Sequence, residues 1–210
     1  MLNSASRSFP GVFLLLALGV LSSPDRIARA EQTKLRATRD AFIGAENKNR
    51  NGGASPTLRI KFDKQSRVLV EFDLAGIVLS DVTSARLVLT VSRADSGWGG
   101  GRPVEARLLR SAWTEGIGTE TSRGSGSGVT WNCATDTDIS DSGVDCVVQW
   151  GGGAFSSTVT DSVIHTSGMT GTVEWDVTAD VQNARCRGYV DWSSRSCHFG
   201  PGRHLMPADP

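Results

Sequence analysis

The sequence predicts an all-β protein, and three observations carry the prediction. Apolar residues from Leu35 onward recur at every second position, the period of a strand that buries one face. The segments between these runs are rich in Gly, Asn, Asp and Ser, residues that favour turns. No apolar stripe of helical period competes with the alternation until the chain nears its end.

Taken in order, the alternation starts at Leu35 and breaks in the turn-rich stretch 47–53. Leu58, Ile60 and Phe62 then alternate with Arg59 and Lys61, which predicts a strand over residues 58–62. After Asp63-Lys64-Gln65, Val68, Val70 and Phe72 alternate with Leu69 and Glu71. Leu87, Leu89 and Val91 alternate with Arg86, Val88 and Thr90, and Val104, Ala106 and Leu108 with Glu105 and Arg107. Two further runs cover residues 159–164 and 172–177. Each has the length of an ordinary strand. Many short strands with no linker dividing them predict one domain, a sandwich or barrel of antiparallel strands. Three connections are long, residues 92–102, 114–128 and 132–153, and on such a fold long loops collect at the sheet ends, where binding residues tend to lie.

The charge balance narrows the function. The chain has 22 Lys and Arg against 22 Asp and Glu. A nucleic-acid partner is therefore not expected, because such binders need a basic surplus to displace counterions. One Tyr and three His leave few groups for acid-base chemistry, so an enzyme is not the first reading. Residues 1–30 read as an export signal: Arg7 supplies positive charge, residues 12–21 are small and apolar, and Ala28-Arg29-Ala30 has the small-x-small pattern of a cleavage site. The apolar run is too short for a bilayer span, so no stable membrane insertion follows signal cleavage. Removing residues 1–30 takes away three basic residues and one acidic residue and leaves a net charge of −2. Residues 185–210 break the strand pattern and read as a divergent or disordered tail, a truncated or frame-altered end of the domain.

Outside the cytosol cysteines tend to pair. Cys133 and Cys146 flank a short polar loop and are expected to form a disulfide, with Cys186 and Cys197 available for a second, although four cysteines allow three connectivities. Cys186, Cys197, His198 and His204 are zinc-ligand types, but their spacing matches no standard structural zinc motif. Inside the first cysteine pair, Asp136, Asp138, Asp141 and Asp145 have the oxygen chemistry of a structural Ca²⁺ site, without the spacing of an EF-hand, and stand against a bland reading as solvated turn residues.

Two residue groups suggest ligand binding. Lys48, Arg50, Arg59 and Lys61 fall on the first turn and the polar face of the next run, where forked guanidinium and mobile ammonium groups suit carboxylated sugars. Trp98, in Ser96-Gly97-Trp98-Gly99-Gly100, is the best exposed ring for stacking on a sugar face, whereas Trp113 and Trp175 are expected in the core. For hydrolysis, Glu71, Asp73, Glu105, Glu115 and Glu174 offer no singled-out pair, and for a lyase His165 is the one candidate base before the tail.

A series of motifs adds to this. Asp40-Ala41-Phe42-Ile43, Asn51-Gly52-Gly53, Arg67-Val68-Leu69-Val70-Glu71-Phe72-Asp73-Leu74, Ser84-Ala85-Arg86-Leu87, Trp113-Thr114-Glu115, Val129-Thr130-Trp131 and Trp175-Asp176-Val177-Thr178-Ala179-Asp180-Val181 resemble, in order, the DNRLRE domain family, which overlaps an alginate-binding group of carbohydrate-binding modules. The family's name motif is absent, and Ser66-Arg67-Val68-Leu69-Val70-Glu71 stands in its place. The resemblance implies a jelly-roll β-sandwich over residues 31–184, with a short helix over 179–184, in a secreted or cell-surface protein. It implies a non-catalytic module that binds a polysaccharide, uronate-containing such as alginate, through basic residues in the region of Lys48, Arg50, Arg59 and Lys61. The other classes to weigh are a structural or adhesive envelope protein with no sugar ligand and, behind it, a polysaccharide lyase.

Overall fold

The computed structural model describes residues 12–18, 31–119 and 121–184. The expectations placed on Cys186, Cys197, His198, His204 and the tail lie outside these residues. The described chain is all-β apart from one short α-helix and three single 3-10 turns, with strands β1 (Val12–Leu18), β2 (Glu31–Gly44), β3 (Ser66–Phe72), β4 (Val82–Val91), β5 (Arg102–Ala106), β6 (Asp161–His165) and β7 (Gly171–Asp176) and helix α1 (Thr178–Gln182). They form a five-stranded sheet in the order β3-β2-β1-β4-β7 and a two-stranded sheet of β5 and β6, with every pairing antiparallel.

The alternation read from sequence becomes β3, β4, β5, β6 and β7 within a few residues at each end. In β2 it slips at Thr38 and Arg39, two exposed residues in succession, where the register with β3 shifts between Ala37 and Arg39. An extra residue that bends the strand explains the slip. The strand expected over residues 58–62 does not form. The chain makes a single bridge, Lys61 to Ser66, because the turn at 62–65, with Gln65 at φ 43°, folds it straight back onto the start of β3. A half-buried alternation without a neighbouring strand edge cannot become a ladder.

Residues 12–18, the apolar run of the expected leader, form β1 in the middle of the larger sheet. Leu14 and Leu16 are 3% and 0% exposed and join Val82, Ala85, Val173 and Trp175 in one core cluster. Val104, Ala106 and Val163 from the smaller sheet pack on the same cluster, so the two sheets share this core. Helix α1 starts where the Thr178 amide donates to Asp176 Oδ1 at 2.9 Å, buries Val181, and is tied to the start of β4 by Gln182 Nε2 donating to the Val82 carbonyl at 2.8 Å.

A second cluster, Ala41, Ile43, Leu69, Trp113, Val129 and Trp131, lies under the far ends of β2 and β3. It is roofed by residues 107–160, which form isolated bridges rather than strands. This long segment is stapled by the expected Cys133–Cys146 disulfide, with Cα atoms 5.8 Å apart. Closing a loop of this size contributes about 3 kcal/mol in the chain-entropy account. Replacing both cysteines with serine, or reducing the bond, is expected to lower the unfolding free energy by about 2–4 kcal/mol in a urea titration. Equal midpoints with and without reductant would refute that role.

Candidate functional site

The site begins at a buried carboxamide. Asn51 is 1% exposed, and its side chain uses its full hydrogen-bonding capacity on backbone groups. Nδ2 donates to the carbonyls of Glu115 at 2.6 Å and Val129 at 2.7 Å; Oδ1 accepts from the amides of Gly53 at 3.0 Å and Gly118 at 2.9 Å. One residue thus fastens the 47–53 turn to both arms of the 114–128 loop. The approach is close enough to require glycine: a Cβ at Gly53 would sit 2.2 Å from the Glu115 carbonyl oxygen, and one at Gly116, already at φ +77°, would sit 2.8 Å from the Asn51 carboxamide.

Further bonds hold the same turn. Arg123 donates to the Asn49 carbonyl at 3.2 Å and to the Asp141 carbonyl, Asn132 Nδ2 donates to Asn49 Oδ1 at 2.5 Å, and Asn49 Nδ2 donates to the Ser142 carbonyl. The carbonyl of Lys48 accepts from the Asn132 amide at 3.3 Å. The turn that carries Lys48 and Arg50 is therefore fixed from two sides by loops that are remote in sequence.

On this support Arg50, Arg59 and Lys61 line one small cleft of about 40 Å³ together with Glu46, Phe42 and Gly44. Lys48 lies on the same turn and does not line the cleft. Glu46 is paired with Lys61 at 3.2 Å and Lys64 at 2.5 Å. Hydrogen bonds from Lys64 first and Lys61 second hold its carboxyl below the usual range, and Glu46 in turn holds the Lys64 ammonium above its usual value. An internal carboxylate thus occupies the lysine end of the basic cleft.

Lys61 also lines a second, much larger cleft of about 910 Å³ between the two sheets, with Phe62, Arg67, Trp98, Arg107 and Phe155. Arg67 donates to the Gly152 carbonyl at 2.5 Å, and its guanidinium lies 4.7 Å from the Trp131 ring centre and 4.6 Å from that of Phe155. Such cation–ring contacts are worth about 0.5–2 kcal/mol depending on desolvation. Burial first, and the nearby Arg107 second, push the Arg67 guanidinium below its usual value. Gly152 at φ +94° permits the approach, since a Cβ there would lie 2.6 Å from Arg67 and from Trp131. Arg107 is forked onto Glu105 at 2.9 and 2.8 Å, and Arg102 lies 3.9 Å over Phe62, a ring 59% exposed.

Trp98 therefore shares a cleft with Lys61 and stands apart from Arg50 and Arg59. Half-buried, it is the outer member of a row of rings that continues through His165, 5.8 Å away, to Trp175 in the core, 5.7 Å further. His165 is buried between them, which makes it packing. Sequence reading missed Arg67, Arg102, Arg107, Phe62, Trp131 and Phe155 as one group. A charged residue opening a strand and a lone ring beside three glycines were the local signs of Arg67 and Phe155.

The structure does not gather Asp136, Asp138 and Asp141 into a ligand set. Each accepts a backbone amide two residues ahead: Asp136 from Asp138 at 3.3 Å, Asp138 from Ser140 at 3.0 Å and Asp141 from Gly143 at 2.6 Å. They serve as turn formers, and among the described residues no group of three or more His, Cys, Asp or Glu is placed to hold a metal ion. The carboxylates weighed for catalysis are engaged as well: Glu71 with Arg39, Asp73 with the Ala75 amide, Glu105 with Arg107, Glu174 with Arg86, and Glu115 with the Asp40 amide.

The family model of carbohydrate-binding module family 96 matches residues 31–150, and the chain belongs to that family. Membership suggests a carbohydrate-binding, non-catalytic domain. No curated protein and no solved structure matches the chain. No helix among the described residues is long and apolar enough to cross a membrane.

Two outcomes follow from the site's framework. Asn51→Ala strands four backbone groups and is expected to cost about 3 kcal/mol of stability by chemical denaturation; a loss below about 0.5 kcal/mol would show that the turn is held by other means. Asp40 is raised, by burial first and by the negative charge of Glu115 second. A raised carboxyl favours the fold in its protonated form, so its contribution is complete below its unfolded value and is lost as pH rises through the folded one. Asp40→Asn is expected to be the more stable protein at pH 7, with its advantage over the unaltered chain growing as pH rises above 4; a constant difference across that range would contradict the assignment.

Proposed function

We propose that this domain is a secreted, non-catalytic jelly-roll module that binds an acidic, uronate-containing polysaccharide such as alginate. The observation that carries the reading is that Lys61 lines both clefts, joining Arg50 and Arg59 on one side to Arg67, Arg107 and their rings on the other. A basic strip interleaved with flat rings suits a chain of pyranoses, each with a carboxylate on its rim: forked guanidinium groups meet carboxylates edge to edge, and rings such as Trp98 and Phe155 pack on sugar faces. Glu46 supplies the mechanism of exchange. Its carboxylate occupies Lys61 and Lys64 in the free protein, and a uronate carboxylate takes its place on binding. Export rests on the apolar run 12–21 and on Ala28-Arg29-Ala30.

Retention on gels containing alginate, pectin or a neutral glucan tests the proposal. Retention is expected on alginate, weakening as salt rises, because exposed ion pairs are screened. Arg59→Ala combined with Lys61→Ala is expected to weaken binding about tenfold, and Glu46→Gln to strengthen it about two- to threefold, small effects because exposed ion pairs are weak. A larger loss in Trp98→Ala than in the basic double variant would move the recognition from charge to stacking. Folded protein that passes every gel unretained would leave the envelope-protein reading in its place. Unsaturated uronate absorbance after long incubation with alginate would overturn the non-catalytic assignment.

A further inference from the structure

The gap between β2 and β4 has an unusual occupant. Strand β1 pairs antiparallel with β4 from Val12 opposite Leu89 to Leu18 opposite Val82, and with β2 from Phe13 opposite Arg36 to Leu18 opposite Glu31. β2 and β4 consequently run parallel to one another and meet in the sheet only through β1. Without it, two strand edges would face each other about 10 Å apart, twice the interstrand spacing, with neither able to bond the other. The core would also lose Leu14 and Leu16.

The place of the expected cut gives this arrangement its consequence. Ala28-Arg29-Ala30 ends one residue before β2 begins at Glu31, and Glu31 pairs with Leu18, the last residue of β1. A cut after Ala30 therefore breaks none of the pairings of β1 with β2 or β4 and removes neither buried leucine. Strand β1 is paired along both edges and buries two leucines in the core.

We infer that the gap between β2 and β4 is a strand-acceptor site whose occupant is the apolar segment Val12–Leu18, and that this segment remains in the sheet after the chain is cut at Ala30. The run that directs export then also completes the fold, as a bound peptide. The inference concerns the framework and stands apart from the sugar reading.

The experiment uses the full chain with a specific protease site inserted between Ala30 and Glu31. The folded protein is cut and then examined by native gel filtration, mass spectrometry and thermal unfolding. The 1–30 fragment is expected to co-elute with 31–210 in equal amounts and to leave on denaturation. Residues 31–210 produced alone are expected to lose the cooperative transition, or to show a midpoint lower by at least about 10 °C. A synthetic peptide of residues 11–19 should restore it, while the same peptide carrying Leu14→Asp and Leu16→Asp should not. A fragment that elutes free while the body keeps its midpoint would overturn the inference. So would a 31–210 chain as stable as the full one, or a failure of the peptide to restore the transition.

Discussion

The turn that carries Lys48 and Arg50 is tied to the loop beside it by one buried carboxamide. Asn51 is inside because four backbone groups from three segments need what a carboxamide supplies, two donors and two acceptors in one plane. The glycines around it are the other half of that constraint, since side chains at Gly53, Gly116 or Gly118 would push the segments apart. With this bond set in place, a stretch of more than fifty residues without regular strands keeps a fixed shape over the second core cluster. The disulfide and the paired Asp turns hold the outer part of the same stretch.

Electrostatics on this framework is local. The chain balances its charges overall, yet Arg50, Arg59 and Lys61 meet at one cleft and Arg67 and Arg107 at the next. Three devices keep so much like charge together in the free protein. Glu46 neutralises the lysine end, Glu105 pairs with Arg107, and the faces of Trp131 and Phe155 take up the Arg67 guanidinium. An arginine held between rings loses little further entropy when a ligand arrives, which favours recognition.

What was legible in the sequence was what depends on neighbours along the chain. Alternation located β3 to β7, and the loop between Cys133 and Cys146 was short enough to pair them. The same reasoning failed at residues 58–62, because alternation reports a half-buried face and says nothing about whether a strand edge lies alongside. Proximity of Arg50, Arg59 and Lys61 followed from their nearness in sequence, whereas the contact of Arg67 with Gly152 spans 85 positions and left no periodic trace. Val12–Leu18 shows a deeper ambiguity. A short unbroken apolar run satisfies the requirements of an export signal and of a central strand alike, and composition cannot separate the two.

The central claim is that the basic residues of the two clefts joined at Lys61 together receive the sugar chain. Titrating isotopically labelled protein with a defined uronate oligosaccharide, while following the side-chain resonances of arginine and lysine, tests it most directly. The account predicts that Arg50, Arg59, Lys61 and Arg67 shift together along one binding isotherm. Shifts confined to the loop between Cys133 and Cys146, with those four resonances unmoved at saturation, would contradict it.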